Sequence, residues 1–321
     1  MKILAVQNRM GMGDLVIFLP YIEAISKKFN SPVSILVQES SRATDFLQDT
    51  KYIDEIIILK KNNKIKNDEH SGIIGSFNLI KDLKKHNFEK IFIFNSSLRY
   101  RLISILAGIK QIYQYKLFDK KNQHMIDTAK QFLNKELEIE VKNDARIEIS
   151  KSFENEILKK INIDKTKTNV LLAIGGSGPT KRIPASTFLK FIEKIADIKN
   201  YHFYLATGSS DEEQKILQEF LNSDFKNYFT PLDKFSIKEI LPIIKSCKVS
   251  ICNDTGFGHF SAALDVNTIT LMADTPLMYG DYSSKMHPII PDGEETVSHN
   301  TLGKDKINSD KIFKKFLSLT N

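Results

Sequence analysis

"KILAVQNRMGMGDLVIFLPYIEAISKKF", residues 2–29, decides how the chain is read. An apolar run ends in a turn holding Gly11 and Gly13, and an amphipathic stretch follows at once. That is a strand, a glycine-rich turn and a helix, the opening of a βαβ unit. A dinucleotide fingerprint G-x-G-x-x-G would place its third glycine at position 16, where Val16 stands. The fingerprint fails, which weakens an NAD-linked oxidoreductase. Asp14 has two readings. It is an N-cap satisfying amide donors, or a carboxylate at a strand end available as a general base. Pro20 falls inside the expected helix 14–28, so that helix kinks there or starts later.

The same pattern recurs along the chain. "VSILVQ" (33–38), "EIIIL" (55–59) and "KIFIFN" (90–95) read as strands. Stretches near 41–48, 75–86 and 98–107 read as helices, and "KKNNKIKNDEH" (60–70) as a solvated loop. Residues 121–168 are more polar and read as the inter-domain connection. The alternation then restarts. "NVLLAIGGSG", "YHFYLATGSS", "KVSICNDTG" and "TITLMA" are strand-like, and helices are expected at 184–198, 211–222, 236–246 and 256–264. "INSDKIFKKFLSL" closes the chain as an amphipathic helix starting at Ser309 or Asp310. The expectation is α/β: two Rossmann-like βαβ domains, 1–155 and 156–321, facing across a cleft. In such sheets ligands bind beyond the C-terminal strand ends.

Composition agrees. At 321 residues the chain exceeds one ordinary core. It has 41% hydrophobic and 26% charged residues and no long uninterrupted apolar run, which predicts a soluble, cytoplasmic protein. Cys247 and Cys252 lie in the apolar "CKVSIC" and read as buried thiols. The net charge of +7 is uneven: residues 1–160 hold 27 Lys+Arg against 20 Asp+Glu, and residues 161–321 hold 19 of each. Either the first half faces something anionic, such as a membrane surface, or the surplus is incidental to a Lys-, Asn- and Ile-rich composition. No basic helix interleaves with stacking aromatics, so nucleic acid is not expected.

Three later stretches carry chemistry. In "AIGGSGPTKRIP" (173–184), backbone amides, Ser177, Lys181 and Arg182 precede a helix start at Pro184, which suits a phosphate. A flexible loop with a solvated basic pair is the other reading. In "NDTGFGHFSAALDVNTIT" (253–270), Asp254, Thr255 and Gly256 end a strand, and a small-residue helix carries His259 in its first turn. An anion there would meet free amides and a favourable dipole, although a lone histidine is usually structural. In "ATGSSDEEQ" (206–214), the acids are helix-start electrostatics or a ribose contact. There is no D-x-D pair and no ligand-spaced His/Cys/Asp cluster, so no metal is expected.

In this order, "GMGDLVIFLP", "GGSGPTKRIP" and "NDTGFGHFSAALDVNTITL" resemble glycosyltransferase family 9, the lipopolysaccharide heptosyltransferases, over nearly the whole length. The resemblance implies the GT-B architecture and inverting, metal-independent transfer, without cofactor, from a nucleotide-sugar, best ADP-heptose. The acceptor would be a glycolipid or oligosaccharide of the lipopolysaccharide core, reached from the cytoplasmic face of the inner membrane. It implies Asp14 as catalytic base, with Gly11 and Gly13 as the acceptor-side turn. Donor contacts would be Ser177, Lys181 and Arg182 at the diphosphate, Glu212 or Glu213 at the ribose and Phe235 beside the base. Asp254, Thr255, Gly256 and His259 would surround phosphates and sugar. A closing helix, 307–319, would pack back across both domains. Two other classes stay open: an epimerase or hydrolase of the same fold, which would turn over donor without acceptor, and a binding protein, which would tolerate Asp14→Asn.

Overall fold

Ile3–Gln7 (β1) is buried at every position, and the chain turns at Gly11 into the helix Met12–Phe29 (α1). The computed structural model describes residues 1–61, 68–117, 125–196, 198 and 200–320. Parts of the expected 60–70 loop and of the 121–168 connection, residues 62–67 and 121–124, lie outside these. The chain divides into two units, Met1–Glu148 and Ile149–Asn321. The expected boundary at 155/156 falls inside a helix of the second unit, Lys151–Lys160.

In the first unit, β1 and α1 are followed by Val33–Gln38 (β2), Ile53–Leu59 (β3), Gly72–His86 (α2), Lys90–Ile93 (β4), Leu98–Leu106 (α3), Gln111–Gln114 (β5) and Met125–Leu137 (α4). All strand pairs are parallel, in the order β3-β2-β1-β4-β5. Alternate side chains of a strand point to opposite faces. Leu4, Val6, Ile91 and Ile93 pack with Leu79 and Leu83 of α2 and Tyr100 and Ile103 of α3. Phe92 and Phe94 meet Phe132 of α4 on the other face, where Phe94 also meets Phe18 of α1. Helix α1 is buried nearly all round from Leu15 to Glu23 and runs through Pro20. Its first turn begins earlier than expected, at Met12.

Residues 41–48 are a correction. Ala43, Phe46 and Leu47 are buried with helical spacing, but Arg42 takes φ 51 and the segment forms two short 3₁₀ turns, Glu39–Ser41 and Ala43–Asp45. The polar connection is a second correction, since it contains α4 and Lys151–Lys160.

The second unit runs Lys151–Lys160 (α5), Thr168–Ala173 (β6), Ala185–Ile195 (α6), Tyr201–Ala206 (β7), Asp211–Leu221 (α7), Phe229–Pro231 (β8), Ile237–Lys245 (α8), Val249–Asn253 (β9), Gly256–Ala263 (α9), Asn267–Leu271 (β10), Met286–Ile289 (β11) and Ser309–Thr320 (α10). Its six strands are parallel in the order β11-β10-β9-β6-β7-β8. This is the Rossmann strand order, reversing between β6 and β9. Ile312 and Phe316 of α10 are fully buried in this unit's core, with Phe316 against Phe191 and Tyr201. Cys247 and Cys252 are buried free thiols, as expected. Burial pushes Cys252 up to about 12, which removes the thiolate chemistry of a reactive cysteine.

Candidate functional site

In a parallel sheet the residues just beyond adjacent strand ends meet where the strand order reverses. In the second unit that point joins the turn after β6 to the turn after β9. Asn253 ties them: its Nδ2 donates to the carbonyls of Ile174 (2.8 Å) and Gly175 (3.1 Å). Lys181 then reaches Asp254, with Nζ 2.5 Å from Oδ2. Thr275 Oγ1 donates to the same oxygen at 2.6 Å. Burial alone would raise the Asp254 pKa, but the Lys181 charge and the hydrogen bonds from Lys181 and Thr275 outweigh it. The carboxyl is held below its usual range.

Thr255 is the N-cap of α9, yet its side chain makes no cap bond. Among the described residues its Oγ1, with Asn253 Oδ1 and Thr207 Oγ1, is buried without a hydrogen-bond partner. Buried polar groups are rarely left so. Gly256 opens α9, where the amides of the first turn lack intrahelical acceptors. His259 is buried, its Nδ1 2.9 Å from the Tyr282 hydroxyl and its ring stacked on Tyr282.

The two acidic candidates separate. Glu213 is built into the scaffold. Its carboxylate accepts the amide N–H of Gly176 (3.0 Å) and of Gly208 (3.3 Å), and the Ser210 hydroxyl (2.9 Å). A Cβ at Gly175 or Gly208 would lie 2.4 or 2.3 Å from that carboxylate, so as glycines both leave it room to approach. Glu212 is exposed. Arg182 Nε donates to the Gly176 carbonyl at 2.9 Å and braces the same turn. Ser177 is exposed on the turn, and Pro184 is the N-cap residue of α6. Phe235 lies under the Lys160 ammonium, 5.4 Å from the ring centroid, beside the Lys160–Glu239 ion pair of 2.6 Å.

In the first unit Asp14 is the third residue of α1 and not its N-cap, which is Gly11. The carboxylate reaches back: Oδ2 accepts the Gly11 N–H at 3.2 Å, and Oδ1 is 3.8 Å from Arg9 Nη1. Its side chain keeps a quarter of its surface exposed. Gly13 sits in the same first turn. Sequence reading missed the neighbours. Register places Gln7, Phe94 and Tyr115 in one row, each a residue past the aligned Val6, Ile93 and Gln114. Phe94 and Tyr115 rings meet at 6.0 Å. Among the described residues Gln7 Nε2, Gln114 Oε1 and Tyr115 OH are buried without hydrogen-bond partners. Burial raises the Tyr115 phenol, and the Arg9 charge opposes this.

Between the end of β3 and α2, Glu69, His70 and Asp82 bring ligand-type atoms within 4.8 Å of one another. Each is already paired. The Lys60 N–H donates to His70 Nδ1, His70 Nε2 is 3.2 Å from Asp82, Glu69 pairs with Lys60, and Asp82 pairs with Lys85. We read this set as an ion-pair clip.

The comparisons decide the family. The profile of glycosyltransferase family 9 (heptosyltransferase) matches residues 79–297. The chain belongs to glycosyltransferase family 9. It is 21% identical over 329 residues to lipopolysaccharide heptosyltransferase 1 of Campylobacter coli, covering 95% of this chain and 93% of that one. It is 25% identical over 272 residues to lipooligosaccharide heptosyltransferase 2 of Campylobacter jejuni, covering 82% and 79%. Among solved structures it is similar to E. coli ADP-heptose lipopolysaccharide heptosyltransferase II, with a TM-score of 0.74, 16% identity and coverage of 100% and 98%. It is also similar to E. coli heptosyltransferase WaaC with ADP, with a TM-score of 0.71, 16% identity and full coverage of both chains. The chain is a glycosyltransferase with two parallel-sheet α/β units of the GT-B class.

Proposed function

We propose that this family 9 glycosyltransferase transfers a heptose from an ADP-linked donor to the inner core of lipopolysaccharide, with inversion and without a metal or cofactor. The enzyme would work at the cytoplasmic face of the inner membrane. The names of its relatives support the donor and the acceptor. One observation carries the donor site. Among the described residues the buried oxygens of Asn253 and Thr255 lack partners beside the Lys181–Asp254 pair at the reversal of the second sheet, and so does Thr207 Oγ1 on the turn after β7, next to Gly175. Such groups await a polar ligand.

The second unit supplies the donor contacts. The Lys181 ammonium has three donors and gives one to Asp254, leaving two for phosphate oxygens. Asp254 neutralises much of that charge, so Arg182 and the amide end of α9 supply the net positive field. Ser177 and Thr255 contribute hydroxyls. Gly256 lets the diphosphate approach the α9 backbone, and His259, held by Tyr282, borders the sugar. Glu212 takes the ribose, because Glu213 is committed to the turn. Phe235 flanks the base.

Asp14 accepts the proton of the acceptor hydroxyl as its oxygen attacks the anomeric carbon. The bond to the diphosphate oxygen breaks on the opposite face, and the electron pair leaves with the nucleotide. General base catalysis of this kind contributes roughly 10²–10⁴-fold. Stabilising the leaving charge is the larger electrostatic part. Gln7, Arg9 and Tyr115 line the acceptor side, and the open Gly11–Gly13 turn admits the sugar.

Calorimetry with ADP, UDP, GDP and CMP tests the donor site. ADP binding most tightly supports the reading. Tighter binding of another nucleotide, or of none, contradicts it.

A further inference from the structure

The outward faces of α2 and α3 carry the opposite of what a solvated helix carries. In α2, Ile73, Ile74 and Phe77 are 79%, 77% and 64% exposed. In α3, Leu98, Leu102, Ile105 and Leu106 are each about half exposed. Their spacing of four, three and one residues is a single helical face, opposite the buried Tyr100, Ile103 and Ser104. The two helices pack on each other, clipped by Arg99, whose Nε donates to Ser76 Oγ at 2.9 Å. Seven large apolar side chains on neighbouring helices exceed the scattered apolar residues normal on a soluble surface, and patches of this kind mark interaction sites.

Charge identifies the partner. The two helices carry five Lys and Arg, residues 81, 84, 85, 99 and 101, against Asp82 alone. Asp82 is already paired with Lys85. Lys81 and Lys84 are exposed on α2 beyond Phe77, and Lys110 is exposed just past α3. A symmetric dimer through this face would set these cations against their own copies. An anionic bilayer complements them. Apolar side chains enter the acyl boundary while Lys and Arg stems reach the phosphate level. Among the described residues no helix is long and apolar enough to cross a membrane, so the contact would be peripheral.

We propose that the α2–α3 face docks the enzyme on an anionic phospholipid surface. Helices of a parallel sheet start at the C-terminal strand ends, so the first turns of α2 and α3 lie at the sheet edge that carries Asp14. Docking there would bring that edge to a lipid-anchored sugar. Only this purpose rests on the proposed acceptor; the surface itself does not.

The test is flotation of the full chain with vesicles of phosphatidylethanolamine and phosphatidylglycerol, against phosphatidylcholine vesicles, without donor or acceptor. The wild type should float with the anionic vesicles and at least about tenfold less with the neutral ones. I74S/F77S/L102S/I105S should lose at least about tenfold of that partitioning. K81E/K84E/R101E should lose on the order of a hundredfold at low salt. Both variants should bind ADP as the wild type does. A wild type that ignores anionic vesicles overturns the proposal, as does an apolar variant that floats equally well. So does an apolar variant that only converts a dimer to a monomer in sedimentation. Because no sugar transfer is read, none of these outcomes touches the proposed reaction.

Discussion

Lys181 and Asp254, 73 residues apart, are joined through a single carboxylate oxygen that Thr275 also holds, at 2.5 and 2.6 Å. The pair fixes the glycine-rich turn after β6 against the start of α9. Lys181→Met should therefore act twice. It strands a carboxylate whose side chain is only 10% exposed, costing about 2–4 kcal/mol of stability, and it weakens binding of the nucleoside diphosphate. Lys181→Met with Asp254→Asn should recover most of the stability and none of the affinity. Thermal melts with and without ADP check both halves.

Glu212 and Glu213 should part cleanly. Glu213→Ala leaves the Gly176 and Gly208 amides without their acceptor and should destabilise the second unit by about 1–3 kcal/mol. Glu212→Ala, at an exposed position, should leave stability close to that of the wild type and lower nucleotide affinity. Denaturant unfolding beside calorimetry separates the two roles.

Several carboxyls of the second unit are depressed, Glu239 and Asp254 among them, and set its acid limb of stability. The Lys160 hydrogen bond, then those from the Ser236 amide and hydroxyl, hold Glu239 at about 2, and Asp254 is also lowered. A group whose folded pKa is depressed stabilises fully above its unfolded value, about 4, and loses that contribution as pH falls through the folded value. The second unit should lose stability between about pH 4 and 2. Glu239→Gln should flatten part of that slope. Solvent screening limits this partly exposed pair to about 0.5–1 kcal/mol. Urea midpoints across that range measure it.

Tyr115→Phe removes a buried hydroxyl with no partner among the described residues. Stability should stay level or rise, since an unsatisfied polar atom is lost. If the hydroxyl contacts the acceptor, kcat/KM for acceptor should fall about tenfold, worth about 1.4 kcal/mol, with donor affinity unchanged. A fall in Tm of several degrees with unchanged kinetics would make Tyr115 a packing residue only.

The sheets were legible because their strands are short apolar runs between amphipathic stretches, and both reversal points follow strand ends marked by glycine. The misses have physical reasons. "QIYQ" of β5 is polar with an exposed first residue, as edge strands often are. Helix α5 buries only Glu154 and Ile157, so its polarity resembles a linker. Residues 41–48 have helical spacing, and only the left-handed Arg42 shows why they do not form a helix. At the candidate site, motifs marked the turns but not their partners. Gln7 and Tyr115 are brought into one row through register across three strands, and Thr275 and Tyr282 reach Asp254 and His259 from beyond β10. Long-range pairing of this kind leaves no local pattern. That Glu213 and not Glu212 holds the turn likewise needed the fold, because adjacent helix residues differ in which way they face.

The most direct test of the proposed reaction is heptosyl transfer by Asp14→Asn, with donor affinity measured on the same protein. The amide oxygen this change introduces can still accept the Gly11 N–H that the Asp14 carboxylate accepts at 3.2 Å, so the helix start is preserved while the base is lost. Transfer should fall roughly 10²–10⁴-fold, with ADP-heptose affinity and Tm near those of the wild type. Turnover at the wild-type rate would contradict Asp14 as the base that activates the acceptor.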